Sequence, residues 1–372
     1  MKPQVTTAVV AILAMTGVGS AAQAADFVYG SPFGANHTVN EMGMAPYFKM
    51  LAEKTNGEVN WDLVVGGQLS GIPGTPESVG VGVMDGGIAI APYAPREMAA
   101  TNTIFSYSLL GDDTLAAAGA MNETIALGCP QCQDEYKKLG AVGFAGYATS
   151  PYLFICKPEV KTVEDLKGLK VRASGAGVSI TKIAGATPVT MSPGEATTAL
   201  ERGILDCVLG APSWLSSYGY WDVASTIIDS PMGMGGPPVL AFFNRDAWKS
   251  MTPEMRQAHV DLAPDLVAGA VYDAQVEADG AIIEEAKAKG ISFTPDNAGF
   301  ADLMIKLDAG QREMVIKNSK DAGVPDPEKI LDFYVASYAK WQELLNEKGH
   351  DRAAFRQLLW DEIYSKVDPE AL

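Results

Sequence analysis

Thr162-Val-Glu-Asp165-Leu-Lys-Gly-Leu-Lys-Val-Arg172, with the residues that follow it to Gly210, sets out helix and strand in alternation. Thr162 and Asp165 stand three apart, the spacing at which a hydroxyl and a carboxylate satisfy each other's free backbone N–H groups, so a short helix starts there. Leu169 to Ala173 then reads as a strand, Glu195 to Arg202 as a helix closed by Gly203, and Cys207 to Gly210 as another strand. Strands separated by helices imply an α/β architecture with mainly parallel sheets.

The same alternation runs upstream. Phe27 to Tyr29 begins a strand, Asn40 to Thr55 is a helix stopped by Gly57, and Val59 to Val65 is a strand ending in the Gly66-Gly67 turn. Thr75-Pro76-Glu77 starts a helix with a capping hydroxyl, a proline in the first turn and an acid at the positive end. Gly87 to Ala91 reads as a short buried strand. Past a change of region near Tyr147 to Pro151, Tyr152 to Cys156 is again a strand. Pro231 to Pro238 is a loop or crossover, and Val239 to Asn244 a further strand. From Pro253 the chain is largely helical, with Leu262, Leu266, Val271, Val276 and Ile283 as an apolar stripe. Two α/β units and a helical C-terminal third result, and the cleft between two such units is where a small ligand binds.

Composition sets the compartment. Lys2, the apolar run Ala8 to Met15 and the small-x-small site Ala22-Gln23-Ala24 have the order of a secretory signal peptide cleaved before Ala25. The run is too short to span a bilayer, which needs about 20 apolar residues. With 47% hydrophobic residues the chain has ample material for its cores. A formal charge of −17 argues against nucleic acid or an anionic membrane as partner. It also requires that any bound anion meet a local cation. Of the four cysteines, Cys129 and Cys132 form a C-x-x-C pair inside an expected helix, Leu115 to Leu139, so they read as a structural bridge or free thiols and not as a redox site. Cys156 and Cys207 both fall in expected strands, and their pairing is left open.

Catalytic constellations are missing. The chain has no G-x-S-x-G elbow, no phosphate-binding loop and no H-E-x-x-H. Its three histidines are far apart, and His259 and His350, in polar helical stretches, read as solvated surface residues. We therefore expect no enzyme, no catalytic residue and no cofactor, and single out no metal-ligating residue; the sequence neither demands nor excludes a metal that accompanies the ligand. A secreted α/β hydrolase is the rival reading, and it lacks its nucleophile.

The series Asp165-Leu-Lys-Gly-Leu-Lys-Val-Arg172, Gly185-Ala186-x-Pro188, Glu195 and Ala199-Leu-Glu-Arg-Gly203-Ile-Leu-Asp206 resembles the DctP-type solute-binding proteins of tripartite ATP-independent periplasmic (TRAP) transporters. Thr55 to Val59, Gly67 to Leu69, Gly82 to Asp85 and Asn244 to Glu254 fit that family as well. The resemblance implies a two-lobed periplasmic-binding-protein fold with a ligand cleft between lobes, a long connecting helix and a helical C-terminal region. We place lobe I at 25–149 plus about 236–276, lobe II at 150–235 plus about 277–345, and a helical tail at 346–372. It further implies that Arg172 makes a two-pronged salt bridge to a ligand carboxylate, which suits a planar guanidinium; the competing reading is a surface ion pair with Glu164.

Departures from the family pattern shape the ligand. Tyr152 stands where sialic-acid-type members have a second arginine, and Gly210-Ala211-Pro212 where many have an asparagine. Tyr147, Tyr152, Ser213, Trp214 and Tyr218 supply aromatic and hydroxyl groups instead. From the other lobe, the loop Ser31 to His37, with Asn36 and His37, and the loop at Tyr93 are expected to face the cleft. The expected ligand is a small organic acid, a monocarboxylate that includes aromatic acids, with a short dicarboxylate second. The expected partners are the TRAP membrane subunits, in the periplasm; the alternatives are a receptor for an ATP-driven transporter or a sensor with the same fold.

Overall fold

The computed structural model describes residues 25–109, 111–296 and 299–372, so the expected signal peptide lies outside the described residues. Eleven strands are numbered here in chain order: β1 Ala25–Gly30, β2 Val59–Val64, β3 Gly86–Gly87, β4 Ala141–Gly143, β5 Leu153–Cys156, β6 Lys170–Arg172, β7 Thr187–Val189, β8 Cys207–Gly210, β9 Thr226–Asp229, β10 Phe242–Asn244 and β11 Ser292–Pro295. They form two sheets, β2-β1-β3-β10-β4 and β11-β9-β5-β8-β6-β7. β10 runs antiparallel to both its neighbours in the first sheet, and β5 does so in the second. Each reversed strand is the one on which the chain enters from the opposite lobe.

Two segments cross between the sheets side by side. Bridges join Gly146 to Val239 and Pro151 to Met234. Between them the Thr149 backbone N–H donates to Gly235 O at 2.8 Å, and the Gly235 N–H donates to Thr149 Oγ1 at 2.9 Å. A third crossing is helical, running from Ala263 to Ala288 with a wider-wound stretch at Gly269–Glu277. Val271 on that helix packs in the first lobe's core and Ile282 in the second's. The two lobes therefore have separate apolar cores linked by three strands of chain, an arrangement that permits hinge closure.

Several expected elements stand as read. Thr162 and Asp165 make the reciprocal capping box, and Cys207–Gly210 is a strand. Others change. Gly87 to Ala91 is strand only at Gly86–Gly87, then turns into a short helical turn at Ala91–Tyr93. Val276 leaves the expected apolar stripe and is exposed, because the wider winding of Gly269–Glu277 rotates it outward. Helix Pro327–Lys348, assigned above to lobe II, sends Ile330, Tyr334, Trp341 and Leu345 into the first lobe's core. His259 is a clear correction. It is fully buried, ringed by Trp61, Phe243 and Trp248 at centroid distances of 5.4–5.9 Å. Its Nδ1–H donates to Met255 O at 2.7 Å and its Nε2 accepts from Trp61 Nε1 at 3.0 Å, so both nitrogens are satisfied without water.

The cysteines are settled too. The expected helix Leu115 to Leu139 breaks at Cys129, since Pro130 has no N–H to continue it, and a new helix, Pro130–Lys138, begins with Cys129 as its cap. Cys129 and Cys132 are bonded to each other, and so are Cys156 and Cys207. The second bond ties β5 to β8, where the two cysteines face each other in register.

Candidate ligand-binding site

Arg172 ends β6, paired with Val189 on β7 and Val208 on β8. The strand end points it out of the sheet into the cleft, yet it is only 1% exposed. Its donors are spent on neutral groups. Nε donates to Met191 O at 3.0 Å, Nη1 reaches Leu209 O at 3.4 Å, and Nη2 donates to the hydroxyl of Tyr93 from the other lobe. The guanidinium carbon lies 5.1 Å from the ring centre of Trp214. Glu164, the competing partner considered above, pairs with Lys167 instead. Among the described residues Arg172 has no carboxylate partner. A buried cation in that position is expensive unless an anion joins it.

Arg172 opens onto an aromatic-walled cavity that Tyr93, Tyr147, Tyr152, Trp214 and Tyr218 also line. The cavity encloses about 20 Å³, room for about one water. An organic acid enters only when the lobes part or the side chains withdraw. Larger clefts exist, but the one of about 550 Å³ beside Asp112, Asp113, Asp229 and Asp279 is acidic and repels a carboxylate.

Most of the expected residues converge here, and three do not. Ser213 turns away and donates to Gln275 Oε1 on the connecting helix at 3.0 Å. Asn36 is exposed on the outside of its loop. His37 is buried behind the wall, stacked on Phe33 at 4.1 Å and edge-on to Tyr218 at 5.3 Å. Burial lowers its pKa to about 3, and Nδ1 accepts the Val39 N–H, so the proton sits on Nε2 of a neutral ring. Phe33, Phe105, Thr149 and Ser174 line the cavity without having been singled out. Only Ser174 carried a usable signal, two residues after Arg172. Tyr152 shows the local electrostatics: burial raises its pKa to about 12, opposed by the neighbouring guanidinium.

The profile of the bacterial extracellular solute-binding protein family 7, DctP, matches residues 31–316. The chain belongs to this family. Its members are described as extracellular solute-binding proteins. Solved TRAP solute-binding proteins share its fold. One from Rhodoferax ferrireducens, holding copurified benzoate, has a TM-score of 0.74 at 19% identity, covering 86% of this chain and 99% of that one. A marine metagenome protein specific for aromatic acid ligands has a TM-score of 0.74 at 20% identity, covering 85% and 99%. One from Bordetella bronchiseptica with bound mandelate has a TM-score of 0.72 at 21% identity, covering 86% and 99%. A monocarboxylate 2-oxoacid-binding periplasmic protein of Nostoc is 25% identical over 228 residues, 58% of this chain and 59% of its own length. An uncharacterised Salmonella typhimurium protein is 28% identical over 165 residues, 42% of this chain and 48% of its own. The chain thus spans about half to three-fifths of the curated relatives it matches. Among the described residues, no helix is long and apolar enough to cross a membrane.

Proposed function

We propose that this DctP-family receptor captures a small monocarboxylate on Arg172 and hands it, in the closed form, to the membrane subunits of a TRAP transporter. Export to the periplasm with removal of residues 1–24 belongs to the same reading. The observation that carries it is the buried Arg172 guanidinium, walled by aromatic rings and with no anionic partner among the described residues. Nε is committed to Met191, so a carboxylate approaches end-on, taking one oxygen at Nη1 and one at Nη2. Tyr93 holds that edge in the closed cleft, and the incoming carboxylate displaces it. Among the described residues no second cation lines the cavity, so a monocarboxylate is favoured over a dicarboxylate. Benzoate, mandelate and 2-oxoacids in relatives are acids of this kind.

The test is calorimetric titration of a panel of aromatic and 2-oxo monocarboxylates, led by benzoate. Arg172→Met, close to arginine in volume, is expected to weaken binding by at least about thirtyfold. The ligand-free variant is expected to melt no lower than wild type, because an unpaired buried charge has been removed. Unchanged affinity in Arg172→Met would sink the assignment.

A further inference from the structure

Five phenols surround the cavity region, and they do not use their hydroxyls alike. Tyr93 donates to Met191 O at 3.3 Å, Tyr220 donates to Pro193 O at 2.6 Å, and Tyr152 is hydrogen-bonded with Thr149. Tyr147 and Tyr218 line the cavity, and among the described residues neither hydroxyl has a hydrogen-bond partner. Tyr147 is only 3% exposed. Neither is bonded to Arg172, whose contacts go to Met191, Leu209, Tyr93 and Ser174. The two hydroxyls therefore serve a part of the ligand other than its carboxylate.

Both rings are held in place. Tyr218 is packed edge-on by Trp214 at 5.6 Å and by His37 at 5.3 Å, with Tyr220 at 5.8 Å. Tyr147 is anchored through its backbone N–H to Pro238 O on the neighbouring crossing segment. They belong to different sides of the hinge, Tyr147 preceding the crossing and Tyr218 following β8 in the second lobe, so closure brings them onto the ligand together. His37 adds a third unspent donor behind Tyr218, its Nε2–H having no partner. The two hydroxyls are free on the cavity side of their rings, and a ligand that fills the cavity takes them out of water, so a ligand that cannot hydrogen-bond them is disfavoured.

We propose that Tyr147 and Tyr218 form a second polar subsite that selects acids carrying an uncharged hydroxyl or carbonyl oxygen away from the carboxylate. A phenol both donates and accepts, so either oxygen fits; a second carboxylate does not, for want of a cation. This inference rests on the carboxylate being held by Arg172.

The experiment titrates wild type, Tyr147→Phe, Tyr218→Phe and the double variant with benzoate, 3-hydroxybenzoate, 4-hydroxybenzoate and mandelate. Expected in wild type is at least one oxygen-bearing acid bound about tenfold or more tightly than benzoate. Each Phe variant is expected to lose several-fold more affinity for the preferred oxygen-bearing acid than for benzoate, a difference that a merely structural role of the rings would not produce. Melting temperatures confirm that the variants fold. Equal affinity for all four acids in wild type, or equal weakening of benzoate and its hydroxylated relatives by the Phe changes, overturns the subsite and leaves Arg172 in place. Failure of every acid to bind wild type overturns both.

Discussion

Asp279 is a residue whose charged form the fold disfavours. It opens the last stretch of the connecting helix, is 9% exposed, and its Oδ1 has no hydrogen-bond partner. Burial raises its pKa to about 7, against the pull of the Ser150 hydroxyl and the Ser213 N–H. Below pH about 4 the group is protonated in folded and unfolded chains alike. As pH rises the unfolded chain ionises first, so stability falls until about pH 7, where the folded protein ionises as well. Asp279→Asn removes this term: denaturant unfolding at pH 8 is expected to show the variant more stable by a few kcal/mol, with the difference gone at pH 4. His259 has the opposite sign, since burial lowers its pKa to about 4, and stability is lost as pH falls from about 6.5 toward 4. Neither was legible beforehand. His259 was read as a surface residue because its neighbours Gln257 and Asp261 are polar, while the aromatic rings that enclose it come from Trp61 and Phe243, distant in sequence.

At the scale of elements, the legible parts were those set by local hydrogen bonding. The capping box at Thr162, the Gly57 stop and strand Cys207–Gly210 depend on residues within one turn or one strand. β3 is shorter than expected: past Gly87 only Ala89 keeps a bridge, to Val239 on a crossing segment, before the chain turns helical at Ala91, and that pairing is tertiary. The loop after β6 carries a consequence for closure. Gly175, at φ +53°, lies so near the opposite lobe that a Cβ would stand 2.8 Å from Phe105 O. Gly175→Ala is expected to prop the cleft open, lowering affinity for the best carboxylate by about tenfold or more and raising the radius of gyration of the ligand-bound form in X-ray scattering. An affinity equal to wild type would mean that closure does not use this contact.

The whole molecule is held by more than its two sheets. The tail Arg352–Lys366 returns to the first lobe, burying Phe355, Leu359, Ile363 and Tyr364. Arg352 pairs with Asp273 at 2.8 Å and Arg356 with Asp265 at 3.0 Å, both on the connecting helix, while Trp248 Nε1 donates to Pro369 O at 3.1 Å. A chain truncated after Lys348 is expected to lose on the order of 10 °C in Tm by differential scanning calorimetry, since four large apolar contacts and the cover over the connecting helix go together. What the sequence by itself determined was the α/β alternation, written in local capping and spacing along the chain, and the family, carried by the series around Asp165–Arg172; the expectation that Arg172 faces the cleft came with that resemblance. Tertiary structure alone decided that Arg172 has no anionic neighbour among the described residues, that Ser213 turns to Gln275 and Asn36 to solvent, and that Tyr147 and Tyr218 line one cavity. The physical reason is that burial and hydrogen-bond satisfaction depend on which lobes and segments come together, and no local spacing along the chain records that.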